Sequence, residues 1–274
     1  MADFADYRPH LPNAEQSRIA GDDAISHARG RLALPRAASL FKEWGELAGQ
    51  EFKGLSTDGE QVAGLYDLRD EGAPVEAMAK AAQRLLETLS AQERARGIQT
   101  VDSDLWRRWQ NTEIFAEKHG LRLEFLSSGK RELVQNVLRA SLSQQGLDNA
   151  LTAMQLNAFL GDLIGAPGVL GEWSYNFCIY GTPSTQSPWG WQLWGHHLGI
   201  SCLVIGGQMV LTPSFLGAEI CYADEGRFQG LTMFQDEQRL GLQLFNALSP
   251  SEQSTARLGF DLSGSDLPEG RVHF

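Results

Sequence analysis

The stretch that decides the fold is residues 171–219, GEWSYNFCIYGTPSTQSPWGWQLWGHHLGISCLVIGGQMVLTPSFLGAE. It holds four of the seven Trp, two of the three Cys and the longest strand-like runs in the chain. Residues 173–180 alternate between apolar and polar side chains, and this period of two predicts a half-buried β-strand. Residues 191–205 predict a second, longer strand.

Gly206-Gly207 predicts the turn of a β-hairpin, because both positions tolerate a positive φ. The return strand is predicted over residues 208–212, and Pro213 is expected to end it. A two-residue turn sets the register, so that Cys202 pairs with Leu211.

Helical periodicity dominates the chain before this stretch. Apolar side chains recur every three or four positions over residues 37–47, 75–89, 130–142 and 148–164. Ser90 and Glu93 have the spacing of a capping box, and Gly146 is expected to end the third helix. Residues 121–126 alternate and predict one more short strand.

These elements predict an α+β protein, in which a helix-rich N-terminal part packs on an antiparallel sheet built around the Gly206-Gly207 hairpin. Residues 1–30 are polar and predict a loosely packed lead-in. Residues 31–274 are expected to form a single compact domain, with a site on the central sheet at 171–219.

Composition and charge restrict the function classes. The net charge of −11 argues against nucleic acid or an anionic membrane as the main partner, because phosphate binding needs a basic surface. No run of about 18 apolar residues predicts a membrane span, and the N-terminus lacks the pattern of a secretory signal. The three Cys lack the spacing of a disulfide framework or a zinc site, so we expect reduced thiols in a cytoplasmic protein.

The adjacent histidines His196 and His197 are the main candidates for chemistry in the central stretch. Neighbouring residues on a strand point to opposite faces, so an undistorted strand predicts that the pair cannot ligate one metal ion. A bulge near Gly195 or Gly199 would change this geometry. The histidines at positions 10, 27 and 119 lie in polar or terminal contexts and are expected at the surface.

Extending the hairpin register places Glu219 opposite Trp194, on the face that His196 occupies. A His and a carboxylate on one face serve as a general base with its orienting group, or as two metal ligands, or as a hydrogen-bonded pair in the core. The candidate catalytic residues are therefore His196, His197 and Glu219. His196 and His197 are also the candidate ligands of a divalent metal ion, which is the one cofactor that the sequence suggests.

A small-molecule site is expected around these residues, with aromatic walls and a few polar groups. The candidate substrate-binding residues are Asn176, Tyr180, Ser184, Trp189, Trp191, Gln192 and Trp194.

Four motifs in the central stretch resemble a family found in bacteria and fungi, the domain of unknown function numbered thirty-five hundred. They are Gly181 to Ser184, the Pro-Trp-Gly-Trp of 188–191, the Gly-His-His-Leu of 195–198 and the Thr-Pro-Ser-Phe-Leu-Gly-Ala of 212–218. The resemblance covers about residues 80–260. It singles out Trp189, Trp191, His196 and His197 for testing, and it brings no settled activity.

The resemblance also implies a further segment, since members of that family usually continue into a His-x-His strand and an Arg-x-Pro-Asn-Gly stretch. The present sequence ends at 271–274 without it. Two expectations follow: the chain is part of a longer protein, or a second polypeptide completes the site.

Two classes of function remain open. The first is an enzyme, a hydrolase or lyase acting on a small organic molecule, with His196 or His197 as general base or metal ligand. The alternative is a non-catalytic ligand-binding or scaffold subunit, either in a homo-oligomer or paired with a second chain.

Overall fold

The structure is a computed structural model that describes residues 8, 11, 13–51, 56–57, 60–65 and 67–257. The predicted α+β class is confirmed: the described residues form helices and a mixed, mostly antiparallel six-stranded sheet. The helices are α1 (Ala24–Leu32), α2 (Pro35–Ala48), α3 (Val75–Thr88), α4 (Ala91–Gly97), α5 (Ser128–Ser141), α6 (Gln144–Ile164), α7 (Gln235–Ala247) and α8 (Pro250–Ala256). The strands are β1 (Ser56–Thr57), β2 (Glu60–Gln61), β3 (Ile98–Gln99), β4 (Leu121–Arg122), β5 (Tyr175–Gly181), β6 (Trp189–Gly195), β7 (Leu198–Ile205) and β8 (Gln208–Leu216).

The chain divides into two units, residues 1–233 and 234–274. The second unit contains α7 and α8. Helix α8 begins with a complete capping box, in which the Ser249 side chain accepts from the Glu252 amide and the Glu252 carboxylate accepts from the Ser249 amide. Among the described helices of both units, none is long and apolar enough to cross a membrane.

The main sheet of the first unit has the strand order β3-β5-β6-β7-β8. The short strands β3 and β4 share one edge of β5: β3 runs parallel to it and β4 antiparallel. β5 to β8 form an antiparallel meander, and β1 and β2 form a separate two-stranded antiparallel sheet. In the chain from 173 to 216, each strand therefore pairs with the next strand in the sequence.

Both faces of β5 and β6 are covered, so the prediction that the first strand is half-buried was wrong. One face carries Phe177, Ile179 and Trp191 in the main core beneath α3, α5 and α6. The other face carries Cys178, Tyr180 and Trp194, each 0% exposed. The segment between β3 and β4 covers this second face with the indoles of Trp106 and Trp109.

Two strand glycines allow those indoles to approach the sheet closely. A Cβ at Gly190 would lie 2.8 Å from Trp106, and a Cβ at Gly199 would lie 2.6 Å from Trp109. Neither separation leaves room for a side chain. The ring of Trp106 also stacks on Tyr180, with centroids 3.7 Å apart.

The Gly206-Gly207 hairpin is confirmed, with Ile205 opposite Gln208 and Cys202 opposite Leu211. The prediction that Pro213 ends the return strand was wrong, because β8 continues to Leu216. β8 is the edge strand of the sheet, where a residue without an N–H is tolerated. The register shifts by one residue between Ile200 and Cys202.

Two shorter predictions also need correction. Residues 121–126 form a strand only at β4, and the following residues form a 3₁₀ turn. The Arg131 guanidinium holds this turn by donating to the carbonyls of Leu123, Glu124 and Leu126. Gly146 does not end a helix. It lies in the first turn of α6, where its amide donates to the Ser143 side chain at 3.1 Å.

Candidate functional site

The two adjacent histidines form a tight turn between β6 and β7, flanked by the paired residues Gly195 and Leu198. The predicted single strand over 191–205 was therefore wrong. His197 has φ +56°, a left-handed conformation in which His is enriched among non-glycine residues. Because the residues turn rather than alternate, their rings lie side by side with centroids 4.1 Å apart. The expectation that they face opposite surfaces was wrong for the same reason.

Hydrogen bonds with three other segments, two of them backbone–backbone and one from a side chain, hold this turn. The His197 amide donates to the Asn111 carbonyl at 3.1 Å, and the His197 carbonyl accepts from the Gly217 amide at 2.8 Å. The buried Tyr175 hydroxyl donates to the His196 carbonyl at 3.0 Å. These bonds fix the left-handed turn, which costs about 1–2 kcal/mol in backbone energy for a residue with a side chain.

Glu219 meets His196, as predicted, and also His197, which was not predicted, and it reaches them from a different position. β8 ends at Leu216, opposite Leu198, so Glu219 follows the strand instead of pairing with Trp194. Its Oε1 atom lies 3.5 Å from Nε2 of His196 and 3.2 Å from Nε2 of His197. One ligand atom from each of the three residues lies within 4.8 Å of the others. We call these three residues the His–His–Glu cluster.

The electrostatics of the cluster favour an ionised carboxylate. Hydrogen bonds from His196 and, next, from His197 hold the pKa of Glu219 well below its ordinary value of 4.5, against the opposing effect of burial. The His196 side chain is 8% exposed, that of His197 27% and that of Glu219 46%. The cluster therefore has a buried side at His196 and a side open to solvent at Glu219.

Asn157 on α6 fixes the orientation of the buried histidine. Its Nδ2 donates to the Gly171 carbonyl at 3.0 Å, which leaves Oδ1 to face Nδ1 of His196 at 2.8 Å. An amide oxygen only accepts, so Nδ1 of His196 carries a hydrogen. The nitrogen that faces Glu219 is then Nε2, the one that remains available for a proton or a metal ion. Metal-ligating histidines characteristically bond to an oxygen in this way through the second ring nitrogen.

A small cavity of about 10 Å³ adjoins the cluster, lined by α6 residues such as Leu156 and Leu160 and by residues 217–220. This volume is about that of one water-sized probe. The enclosed space therefore suits a water molecule or a single ion, and any larger ligand must approach from the exposed side of Glu219.

A second His–Glu pair was missed in the sequence, because His27 was expected at the surface and is 0% exposed. Its Nδ1 accepts from the Ala20 amide at 3.1 Å, and its Nε2 lies 3.4 Å from Glu113 Oε1. Burial acts to raise the pKa of Glu113, but the hydrogen bond from His27 and the charges of His196 and Arg31 hold it below the ordinary value. No spacing in the sequence indicates this pair.

His119 was also expected at the surface, and its side chain is only 7% exposed. Its ring stacks on Trp194 with centroids 4.7 Å apart. The third histidine that was expected at the surface, at position 10, lies outside the described residues.

The predicted substrate-binding residues lie mainly in the core. Trp189 and Trp191 are 0% exposed, and their indole N–H groups donate to the Ser184 carbonyl and the Ser141 hydroxyl. Ser184 itself accepts from the amides of Gln186 and Ser187, as in a local turn. These residues support the sheet and the loop before β6, and they do not line an open pocket at the cluster.

The other four lie on the opposite face of the sheet. The Tyr180 hydroxyl donates to Gln192 at 3.2 Å, and Gln192 donates to Ser201 and to the Trp106 carbonyl. Asn176 and Trp194 pair across β5 and β6 and are buried. Their Oδ1 and Nε1 atoms have no hydrogen-bond partner among the described residues.

The fold and the cluster define an α+β protein with two imidazoles and one carboxylate converging at a strand turn. The family model described as "Protein of unknown function (DUF3500)" matches residues 71–267, and the chain belongs to this family. Comparison with curated proteins gives no match, and comparison with solved structures gives none.

Proposed function

We propose that the His–His–Glu cluster binds a divalent transition-metal ion and that the protein is a metal-dependent enzyme acting on a small organic molecule, with hydrolysis as the reaction. The observation that carries the proposal is the convergence of one carboxylate oxygen on the Nε2 atoms of His196 and His197, at 3.5 and 3.2 Å.

These separations suit a shared ion. Metal–ligand bonds of about 2.0–2.2 Å in tetrahedral geometry set neighbouring ligand atoms roughly 3.4 Å apart. Two imidazole nitrogens and one carboxylate favour zinc, iron or a related ion over calcium or magnesium, which prefer oxygen ligands. Two His and one Glu are also a ligand set of catalytic zinc sites, where the fourth position holds water or substrate.

The buried and exposed sides of the cluster have different roles. Asn157 orients His196 from the buried side, and the exposed side of Glu219 and His197 leaves an approach for a substrate. A bound zinc ion would lower the pKa of its water ligand to about 7 and so supply a nucleophile at neutral pH.

The test is metal binding followed by turnover. Metal content and zinc affinity would be measured on the wild type, on His197→Ala and Glu219→Gln, and on Glu87→Gln, an exposed glutamate of α3 that serves as the matched control. We expect one ion per chain in the wild type and the control, and at least tenfold weaker binding in the other two variants.

Hydrolysis of a panel of 4-nitrophenyl esters would then be compared with and without the metal. Activity that needs the ion and disappears in Glu219→Gln is the expected result. A folded wild type that binds none of zinc, iron(II), manganese or cobalt more tightly than Glu219→Gln would overturn the proposal.

The non-catalytic alternative has one supporting observation, the cavity of only about 10 Å³ beside the cluster. In that case the cluster links the β6–β7 turn to the segment after β8, with an ion or as an ion pair, within a ligand-binding or scaffold subunit. The same variants would then lose stability, while no ester would be turned over by the metal-loaded wild type.

A further inference from the structure

A second cleft, independent of the His–His–Glu cluster, lies where α4, β4 and the start of α5 meet. It has a volume of about 430 Å³, within the usual size of small-molecule sites. Its apolar lining includes Phe115, Leu121, Phe125 and Leu126. The rings of Phe115 and Phe125 meet edge to face, with centroids 6.3 Å apart, and Phe125 is 57% exposed. An exposed Phe beside a cleft of this size indicates a wall for a planar or apolar group.

Arg122 supplies a buried charge to this cleft. Its side chain is 6% exposed, and its guanidinium lies over the Phe115 ring at 4.8 Å from the centroid. Nε donates to Glu124 at 2.8 Å, but the Nη2 atom is buried with no hydrogen-bond partner among the described residues. Leaving a charged donor buried and unpaired is unfavourable, so an acceptor at this position would be bound strongly.

The charged side chains around the cleft carry a net positive charge that one anion would neutralise. Lys130 also lines it, but both oxygens of Glu93 lie 2.6 Å from the Lys130 ammonium, and Glu124 pairs with Arg122. Arg96 lines the cleft as well and is exposed. Three cations and two carboxylates leave one net positive charge, in a chain whose total is −11.

We propose that this cleft binds a small organic carboxylate with a planar or apolar body. The carboxylate lies against Arg122 and Arg96, and the apolar body lies against the exposed ring of Phe125. The guanidinium fork matches the two oxygens of a carboxylate, and a single net positive charge suits a monoanion. A water molecule would satisfy Nη2 alone, but it would leave the aromatic walls and Arg96 without a role.

The test is calorimetric titration of the full chain with benzoate, phenylacetate, 2-naphthoate and hexanoate, each beside its neutral amide. We expect saturable binding of at least one carboxylate, at least tenfold tighter than its amide. Arg96→Gln and Phe125→Ala change exposed side chains, so they preserve the fold, and each is expected to weaken binding three- to tenfold. Arg122→Lys, which keeps the charge and loses the fork, is expected to weaken it at least tenfold, with folding checked by circular dichroism.

Arg84→Gln is the matched control, since it removes one exposed positive charge on α3 outside the cleft. Its affinity should equal that of the wild type. Carboxylates that bind no better than their amides, or that bind Arg96→Gln and Phe125→Ala as well as the wild type, would overturn the proposal. The second outcome would place the carboxylate elsewhere, for example on an ion at the His–His–Glu cluster, whose own test does not depend on these variants.

Discussion

Replacing Asn157 tests how the fold holds its buried histidine. Asn157 is 7% exposed and makes two hydrogen bonds, to the Gly171 carbonyl at 3.0 Å and with Nδ1 of His196 at 2.8 Å. Asn157→Leu leaves Nδ1 of His196 buried without a partner, at a cost of about 1–3 kcal/mol. It also removes a donor from the Gly171 carbonyl, which still accepts from the Ser174 amide at 3.2 Å, at a further cost of about 1 kcal/mol. Burying the apolar leucine side chain offsets about 1–2 kcal/mol of that cost. The expected loss of unfolding free energy is therefore about 1–2 kcal/mol.

The assay is urea denaturation followed by Trp fluorescence, with zinc titration in parallel. A loss of about 1–2 kcal/mol corresponds to a melting temperature lower by roughly 2–8 °C. Zinc affinity should fall about 10- to 100-fold, because the group that orients a ligating histidine has been removed.

Asn157→Asp is the matched comparison. It keeps an acceptor for Nδ1 of His196 and loses one of the two donors to the Gly171 carbonyl, so stability should fall by about 1 kcal/mol while zinc affinity is retained. If Asn157→Leu unfolds within about 0.5 kcal/mol of the wild type, or if both variants bind zinc equally, the role assigned to Asn157 is refuted.

Three further changes test other parts of the structure. Gly190→Ala should destabilise the protein by about 3 kcal/mol or more, because its Cβ would overlap the Cys202 carbonyl oxygen, and wild-type-like denaturation would show that the sheet adjusts. Glu93→Gln should lower the free energy of unfolding by about 1 kcal/mol at pH 7, since Lys130 and the capping box lower the Glu93 pKa from 4.5 to about 2 and solvent screening reduces the effect of that shift. The ionised Glu93 stabilises the fold above pH 4.5, and this contribution is lost as the pH falls towards 2, so the difference from wild type in acid titrations should shrink over that window; a constant difference contradicts the assignment. His197→Gly should be more stable than His197→Ala by about 1 kcal/mol in melting experiments, because glycine adopts the positive φ at no steric cost, and the reverse order would exclude a strained turn.

Local signals in the sequence predicted the parts of the fold that depend on neighbouring residues. The Ser90–Glu93 capping box, the Gly206-Gly207 hairpin and the register up to Cys202 depend on short spacings, and the structure confirms them. The same signals failed where contacts with distant parts of the chain determine the burial of a residue. Nothing near β5 indicates that Trp106 would cover its second face.

The site shows the same division. The convergence of His196 and Glu219 was predicted from an extended register that turned out to be wrong, since β8 ends at Leu216. The turn at the His pair depends on hydrogen bonds donated by Tyr175 and Gly217 and accepted by the Asn111 carbonyl, which no pattern around the two histidines reveals. The residues proposed as pocket walls were chosen for their aromatic character, and the same character places Trp189 and Trp191 in the core.

The His–His–Glu cluster is assembled from parts of the chain that are far apart in sequence. Glu219 lies 22 positions after His197, and Asn157, which orients the cluster, lies 39 positions before His196. An unfolded chain cannot hold these groups together, so an ion that binds the cluster binds the native state almost exclusively. At a free concentration 100 times its Kd, such an ion would add about 2.7 kcal/mol to the stability of the fold. The amount of folded protein in a cell would then depend on the concentration of that ion. A cell short of the ion would lose more of the protein to proteolysis.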